Sequence, residues 1–287
     1  MTQKLLLTHT DLDGAGCAVL FSGARPGQGR VELVDNGRID ARVLAALESE
    51  RAVVVTDHGL SEETANRIDD YIAGGGHFTL LDHHRSSSHL AARRWATIDE
   101  TRSATGLLFD HLGRPAPFAD FARLVEDHDL WRHSDERSAR LAGLLGLLGH
   151  ERFQSRFTAD PSVDFREGEL LLMEQEDERR EKYLAKKVEQ AWIVEGGGNR
   201  WAVCYAEEYQ SDLAERLMTA LDAAGTAIVN PAKRTVSLRG RGIDVSAIAE
   251  RFGGGGHARA AAFSFKGQEL EAPLAAFEES LSKLLLA

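Results

Sequence analysis

The stretch LTHTDLDGAGCAVLF, residues 7–21, places His9, Asp11 and Asp13 at alternate positions where an apolar run ends. In an extended backbone alternate side chains point to the same face, so these three side chains are expected to converge. Two carboxylates held that close repel each other unless a positive charge lies between them. The stretch therefore predicts a cation site at the end of a strand.

Size and charge limit the class of protein. The chain has 287 residues, enough for two modest domains with cores of their own. Its formal net charge of -11 favours small phosphorylated substrates over a long nucleic-acid duplex, which is usually gripped by a basic face. No apolar run approaches the ~20 residues that span a bilayer, and no signal peptide is evident. Cys17 and Cys204 lie far apart in apolar contexts, as expected of buried free thiols in a cytoplasmic protein. The lack of a long apolar run predicts no membrane association.

Short apolar runs alternate with amphipathic stretches in the first half of the chain. The runs have strand length and lie at 4–8, 31–34, 52–56 and 77–81. This alternation predicts βαβ units and a parallel sheet covered by helices. Residues 103–150 are predicted to be mostly helical.

A second alternation of strand-like and helix-like segments begins near residue 196 and ends in a predicted closing helix, 272–286. Between the two regions lies a segment dense in Glu, Arg and Lys, which is typical of a long solvated helix. We therefore predict an α/β protein with a parallel-sheet N-terminal domain over 1–164, a connecting helix over 165–192 and a smaller α/β domain over 193–287.

Acidic and histidine side chains follow three of the predicted strands. Asp57 follows the run 52–56, and His83 and His84 follow the run 77–81. Because ligands of open α/β sheets bind beyond the carboxyl ends of the strands, these groups are expected to meet His9 and the two aspartates of the first motif. Imidazole with carboxylate suits Mn²⁺, Zn²⁺ or Fe²⁺, and an Asp shared by two metals ~4 Å apart is usual in phosphoryl hydrolysis. Each residue alone is compatible with a turn or a helix cap; together they predict a hydrolytic metal site.

The motifs HTDLDG (9–14), VVTDHG (54–59) and LLDHHRSS (80–87) resemble successive motifs of the DHH phosphoesterase family. The segment DVSAIAERFGGGGHARAAAF (244–263) resembles the glycine-rich motif of the DHH-associated second domain. The similarity covers most of the chain, with the motifs in the same order. It implies two α/β domains with a cleft between them and a metal-dependent phosphoesterase activity.

The resemblance also implies roles for individual residues. Asp57 matches the bridging aspartate, and His84 would lie near the scissile phosphate, so both are catalytic candidates. For the family's fourth motif we prefer Asp127, because its spacing to Trp131 resembles the Asp-to-Phe spacing of nanoRNase-like members, and Asp129 stays open. The implied metal ligands are His9, Asp11, Asp13, Asp57, His83 and Asp127.

Substrate contacts are expected from both predicted domains. Arg239 lies in a strand that resembles the family's phosphate-contacting strand, and glycines allow backbone N–H groups to approach an anion closely. A flexible linker is the alternative for the glycines, simple capping for Ser103, and exposure to solvent for Arg85. The candidates are Arg85, Ser103, Arg239, Gly254, Gly255, Gly256 and His257.

The resemblance implies hydrolysis of short oligonucleotides to nucleoside 5'-monophosphates with two divalent metal ions, Mn²⁺ first and Mg²⁺ second. Hydrolysis of 3'-phosphoadenosine 5'-phosphate is an expected second activity. Alternatives are a phosphodiesterase for cyclic or linear dinucleotides, a single-strand exonuclease of the RecJ type, and a nucleic-acid-binding module with a vestigial site. A pyrophosphatase is less favoured because of the GGGGH loop. Oligomeric state is left open, with a homodimer as one candidate.

Overall fold

The computed structural model describes residues 4–196 and 198–265. The chain divides into two compact units, Met1–Met173 and Glu174–Ala287, which we call the first and the second unit. The predicted closing helix at 272–286 lies outside the described residues. The domain boundaries predicted from the sequence stay a prediction, although a helix, Glu167–Gln190, occupies most of the predicted connecting segment.

The first unit alternates strands and helices in its N-terminal half and is helical afterwards. Its strands are β1 Lys4–Thr8, β2 Gly29–Leu33, β3 Ala52–Thr56, β4 His77–Asp82 and β5 Ala96–Ile98. Its helices are α1 Leu12–Ala24, α2 Ile39–Ser49, α3 Glu62–Ala73, α4 Ala104–His111, α5 Ala119–Asp129, α6 Glu136–Ala159 and the start of α7 Glu167–Gln190.

The strands of the first unit form a sheet in the order β2-β1-β3-β4-β5, and all neighbouring pairs are parallel. Alternate residues of β1 belong to different cores: Leu6 packs in the cluster with α1, α4, α5 and α6, whereas Leu5 and Leu7 pack in the cluster with α2 and α3. Burial on both faces explains why these strands are continuous apolar runs. The order reverses between β1 and β3, the switch point where ligands of such sheets bind.

The second unit is built around a mixed sheet in the order β10-β11-β9-β8-β7-β6. Only β7 and β8 pair in parallel within the described residues; the other neighbours are antiparallel. The strands are β6 Trp192–Gly196, β7 Asn199–Tyr205, β8 Gly225–Asn230, β9 Thr235–Gly240, β10 Gly255–His257 and β11 Ala260–Ser264. Helices α8 Gln210–Ala220 and α9 Val245–Arg251 pack in different core clusters, one on each face of this sheet.

The structure confirms the α/β class, the parallel sheet and the separate second sheet. Cys17 and Cys204 are buried free thiols, as expected. Strands β5, β6 and β10 were not predicted; the first and last have only three residues each, too few to show a periodic pattern. Within the described part of the chain, every helix is too short or too polar to cross a bilayer.

Candidate metal centre

The first motif lies on a strand-to-helix turn and not on a continuing strand. β1 ends at Thr8, Asp11 caps the N-terminus of α1 by accepting a 3.0 Å hydrogen bond from the backbone N–H of Gly14, and Asp13 lies in the first turn of the helix. A Cβ at Gly14 would overlap the backbone of His9, so this tight turn requires glycine. The expected convergence occurs, but the turn produces it, and the strand alternation assumed from the sequence was wrong.

Asp57 follows β3 in the left-handed backbone region, with φ of 58°. Its backbone N–H donates to the carbonyl oxygen of Leu81 on the neighbouring strand at 3.1 Å, and the side chain is buried. A non-glycine residue in this region is uncommon, although Asp is among the residue types that tolerate it best. The turn directs the Asp57 carboxylate to the carboxyl edge of the sheet.

Potential ligand atoms form three overlapping groups among the described residues. Asp57 belongs to two of them, one with His9 and Asp11 and the other with His83 and His84. The third group consists of Asp13, His83 and Asp129 and shares His83 with the second. Nδ1 of His9 lies 2.9 Å from the Asp11 carboxylate and 3.9 Å from that of Asp57. Nε2 of His83 lies 3.5 Å from Asp57 and also 3.5 Å from Asp129, and 3.8 Å from Asp13. Asp57 therefore stands between His9 with Asp11 on one side and His83 with its partners on the other.

Several buried polar atoms of this cluster have no hydrogen-bond partner among the described residues: Oδ2 of Asp57, Nε2 of His83 and Oδ2 of Asp129. Burial, followed by the Asp13 and Asp11 carboxylates, raises the pKa of Asp57 well above its usual range. The same causes raise the pKa of Asp129 to about 7. A buried polar group without a partner is costly, and bound cations satisfy such groups. The donor set and the orphaned atoms thus fit divalent metal ions.

Asp13 is clamped to the first turn of α4. Its carboxylate accepts hydrogen bonds from the backbone N–H groups of Ala104 (2.7 Å) and Thr105 (2.8 Å). Ser103 is fully buried and its hydroxyl accepts from the N–H of Gly106 at 3.1 Å. Our expectation that Ser103 and this helix start would receive a phosphate is therefore corrected, because Asp13 and the capping serine already use these N–H groups.

Of the two candidates for the fourth motif, the structure brings Asp129 to the cluster, whereas the preferred Asp127 belongs to none of its ligand groups. The buried Asp127 carboxylate accepts hydrogen bonds from the hydroxyl and backbone N–H of Ser134 and from the N–H of Asp135. Burial alone would raise the pKa of Asp127, but these hydrogen bonds outweigh it and lower the pKa to about 2. Asp127 anchors the loop after α5, whereas Asp129 reaches His83.

His84 is held by a buried carboxylate. Its Nδ1 lies 2.8 Å from Oδ1 of Asp82, and the other oxygen of Asp82 accepts a hydrogen bond from the hydroxyl of Ser87. The bond to Asp82 raises the pKa of His84. Since Nδ1 is engaged, Nε2 of this half-exposed ring is the nitrogen left for another partner. The next residue, Arg85, is exposed to solvent and begins a short 3₁₀ helix.

The remaining expected substrate contacts lie in the second unit. Arg239 donates to the carbonyl oxygen of Leu238 (2.9 Å) and to the hydroxyl of Ser211 (3.2 Å). The glycine-rich segment forms the exposed edge strand β10, which includes His257 and pairs with β11. A Cβ at Gly254 or at Gly256 would overlap the backbone of β11, so close strand packing already requires these two glycines. Phosphate contact by this segment stays a prediction. The positions concerned are Gly254, Gly255, Gly256 and His257.

Sequence reasoning missed one feature beside the cluster. Trp131, used only to judge the spacing from Asp127, is 76% exposed two residues after Asp129. A signal was present in the sequence, because the neighbours of Trp131 at helical spacings of three and four are all polar: Asp127, His128, Ser134 and Asp135.

Comparisons with known proteins agree with this fold. The DHHA1 domain family matches residues 208–283. The chain is 31% identical over 296 residues to oligoribonuclease NrnB of Bacillus subtilis, covering 93% of this chain and 74% of that protein. Two similar solved structures are the pGpG-specific phosphodiesterase PggH of Vibrio cholerae (TM-score 0.59, 14% identity, 99% and 98% covered) and RecJ of Thermus thermophilus in complex with Mn²⁺ (TM-score 0.57, 17% identity, 98% and 52% covered). At these identities the two structures share a fold with this chain.

Proposed function

This chain belongs to the DHH phosphoesterase family, and on that premise we propose that it hydrolyses short oligonucleotides to nucleoside 5'-monophosphates with the help of two divalent metal ions. Support for the substrate class comes from NrnB, whose name describes an oligoribonuclease. Mn²⁺ is our first choice of metal, since RecJ of Thermus thermophilus binds it and the donor set mixes imidazole with carboxylate. Mg²⁺ is the second choice.

The position of Asp57 is the observation that carries the proposal. It shares one group of ligand atoms with His9 and Asp11, and its other oxygen lies 3.5 Å from Nε2 of His83. We assign Asp57 as the shared ligand, His9 and Asp11 to one ion, and Asp13, His83 and Asp129 to the other. When bound, such ions lower the pKa of a water molecule and polarise the phosphoryl oxygen.

His84 is assigned to the substrate phosphate. Asp82 fixes the orientation of its ring through Nδ1, which leaves Nε2 to donate to a phosphate oxygen. The Asp82 carboxylate favours the protonated imidazole, and a charge-assisted hydrogen bond is stronger than a neutral one. The developing charge of the transition state would be stabilised by a group that is already in place.

A limited number of cationic groups supports the preference for short substrates. In the second unit we assign Arg239, His257 and the glycine-rich strand to one end of the substrate. These groups can neutralise roughly one or two phosphates, because charge-assisted bonds act only at contact distance. With a net charge of -11, the rest of the chain is expected to disfavour further phosphates.

The test is a panel of di- to decanucleotides, cyclic dinucleotides, 3'-phosphoadenosine 5'-phosphate, pyrophosphate and bis-p-nitrophenyl phosphate, assayed with and without Mn²⁺. We expect catalytic efficiency to peak at about two to four nucleotides and to fall with length. His257→Ala should raise KM for these short substrates. Asp57→Asn should remove nearly all turnover with the fold retained. Asp120→Asn, which changes an exposed carboxylate on α5, is the matched control and should leave turnover unchanged.

The panel separates the rival functions. A processive preference for long single strands would move the protein to the RecJ-like alternative, and turnover restricted to cyclic dinucleotides would favour the dinucleotide phosphodiesterase. Unchanged metal content and turnover in Asp57→Asn would overturn the shared-ligand assignment. No turnover of any phosphodiester with Mn²⁺ or Mg²⁺ would reject the proposed activity.

A further inference from the structure

We propose that Trp131 is a stacking platform for a nucleobase of the substrate, an inference that rests on the proposed function and adds a base-binding subsite to it. Trp131 follows α5 and exposes 76% of its surface. Among the described residues it is the most exposed of the large apolar side chains.

The backbone at Trp131 takes a conformation that usually belongs to glycine. The N–H of Trp131 donates to the carbonyl oxygen of His128 (3.0 Å) and the N–H of Arg132 to that of Asp127 (3.0 Å). This is the Schellman pattern, in which the residue after the cap is left-handed and usually glycine. Trp131 has φ of 56° there.

In the part of the chain that the structure describes, the same pattern ends three other helices, and each of them has glycine at the equivalent position. These are α3, α4 and α9, with the left-handed residues Gly75, Gly113 and Gly253. Helix α8 has a left-handed Asp222 after its cap, and Asp is a residue type that tolerates this region. At Trp131 the chain therefore keeps a bulky ring where a glycine would be less strained. Strain of this kind clusters at ligand-binding sites, where the surrounding structure maintains it.

Hydrogen bonds to one buried carboxylate and a ring contact hold the loop around Trp131. The carboxylate of Asp127 binds Ser134 and the N–H of Asp135, which fixes the far end of the loop. His133 is also left-handed, with φ of 47°, and its ring packs edge-on against the indole with centroids 4.4 Å apart. The indole orientation is therefore supported before any ligand arrives, while most of its surface stays free.

The platform lies beside the metal centre along the chain. Asp129, whose carboxylate is 3.5 Å from Nε2 of His83, precedes Trp131 by two residues. Consecutive Cα atoms are ~3.8 Å apart, so the two Cα atoms are no more than about 8 Å apart. We therefore place the base of a nucleotide against the indole when its phosphate is bound at the metals.

Stacking suits the chemistry of an oligonucleotide substrate. Every nucleobase has a π-face, so an indole binds all four bases and gives affinity without strong sequence preference. The cationic groups and the metal ligands are assigned to the phosphate, and none of them is assigned to a base. Trp131 would supply the attraction that distinguishes a nucleotide from other phosphoesters.

The test compares two ligands that share a sugar and a phosphate and differ in the base. AMP and ribose 5-phosphate are titrated into the full-length protein in Mn²⁺ buffer, and both dissociation constants are measured by calorimetry. In the wild type we expect AMP to bind roughly fivefold to a hundredfold more tightly than ribose 5-phosphate. Trp131→Ala should bring this ratio to within about twofold of one, and Trp131→Phe should keep most of it. Leu171→Ala, at an exposed apolar position on α7, is the control that should leave the ratio unchanged.

The outcomes are separable from those of the proposed function, because neither ligand contains a phosphodiester and no turnover is needed. A ratio near one in the wild type, or a ratio that Trp131→Ala leaves intact, overturns the platform even if oligonucleotides are hydrolysed. A ratio that depends on Trp131 supports the platform even if the substrate panel shows no turnover. An equal loss of affinity for both ligands in Trp131→Ala would mean that the indole supports the loop and binds no base.

Discussion

The hydroxyl of Thr105 donates a 2.7 Å hydrogen bond to the backbone carbonyl oxygen of Asp13, and the backbone N–H of Thr105 donates at 2.8 Å to the Asp13 carboxylate. Both residues are buried. The first turn of α4 thus holds the backbone and the side chain of a candidate metal ligand at once. Mutation of a partner that orients a metal ligand in this way typically lowers metal affinity by roughly 10- to 100-fold.

Thr105→Val should weaken metal binding without touching a ligand atom. The valine keeps the shape of the side chain and loses the hydroxyl, so we expect Mn²⁺ affinity to fall about 10- to 100-fold. The free energy of unfolding should fall by about 1 kcal/mol, the contribution of one hydrogen bond. Calorimetric titration with Mn²⁺ and thermal unfolding measure the two effects. Thr105→Ser keeps the donor and should stay close to the wild type; equal losses in both variants would count against the clamp.

Asp129→Asn should stabilise the metal-free protein and weaken its metal binding. In the absence of metal, burial and then the Asp13 and Asp11 carboxylates raise the pKa of Asp129 to about 7. An acid with a raised pKa in the folded state contributes stability that is present below about pH 4 and is lost as pH rises through about 7. We therefore expect the EDTA-treated wild type to be less stable at pH 7 than at pH 5, and the variant to lose part of this difference. Thermal unfolding in EDTA at both pH values tests it.

Asp127→Ala should destabilise the protein and leave its metal binding little changed, which is the opposite of the result expected for Asp129→Asn. The buried carboxylate of Asp127 accepts hydrogen bonds from Ser134 and Asp135, and the variant leaves these partly buried donors without this partner. We expect a loss of about 1–3 kcal/mol in the free energy of unfolding, with Mn²⁺ affinity little changed. Because the pKa of Asp127 is lowered to about 2, its stabilisation is present above about pH 4 and is lost as pH falls through about 2. Loss of Mn²⁺ binding in Asp127→Ala but not in Asp129→Asn would reverse our assignment.

Gly14→Ala should disturb the metal centre, because a Cβ at this position would overlap the carbonyl oxygen of His9. The turn that carries His9 and Asp11 must then shift, and we expect turnover to fall on the order of 100-fold, as misplacements of about 1 Å do. The control is Gly143→Ala on α6, where an added Cβ meets nothing within 4 Å. That change should stabilise the protein by about 0.5–1 kcal/mol with turnover unchanged. Equal turnover in the two variants would contradict this account of the turn.

The convergence of ligands could be predicted from the sequence because it follows from order in a parallel sheet. Asp57 and His83 follow strands β3 and β4, which are neighbours, and the carboxyl ends of neighbouring parallel strands meet. For the first motif the prediction was right for an incorrect reason. The turn between β1 and α1 brings Asp13 to the cluster, and this turn depends on Gly14 and on the N–H groups of α4, which lie ninety residues away in the sequence.

The choice between Asp127 and Asp129 could not be made from spacing. The two residues are two positions apart on one helix, which turns them about 200° from each other, so only one can face the strand ends. Which one does so depends on how α5 packs against the rest of the first unit, and a single sequence gives no measure of that. The exposure of Trp131 could be predicted from its polar neighbours, but its left-handed backbone could not, since tryptophan is not a residue expected after a helix cap.

Trp131→Gly should stabilise the protein and weaken nucleotide binding in the same variant. Glycine adopts the left-handed conformation without the steric cost that other residues incur, which is roughly 1–2 kcal/mol. Glycine also gains freedom in the unfolded chain, and the ring contact with His133 is lost, so we expect a net gain of about 1 kcal/mol or less. For a unit of this size that corresponds to a rise in Tm of about 2–4 °C. The affinity for AMP should fall to that for ribose 5-phosphate.

Gly253→Ala is the control for this prediction, because it makes the reverse change at an equivalent backbone position. It places a Cβ at the equivalent left-handed position after α9, where φ is 70°, and should lower the free energy of unfolding by about 1 kcal/mol. Thermal unfolding of both variants measures the change in stability, and titration of Trp131→Gly with AMP measures the change in nucleotide affinity. If Trp131→Gly were less stable than the wild type, the left-handed tryptophan would be a structural support of the loop. A more stable variant that has lost its preference for AMP would show that the strain at Trp131 is kept because the ring binds the base.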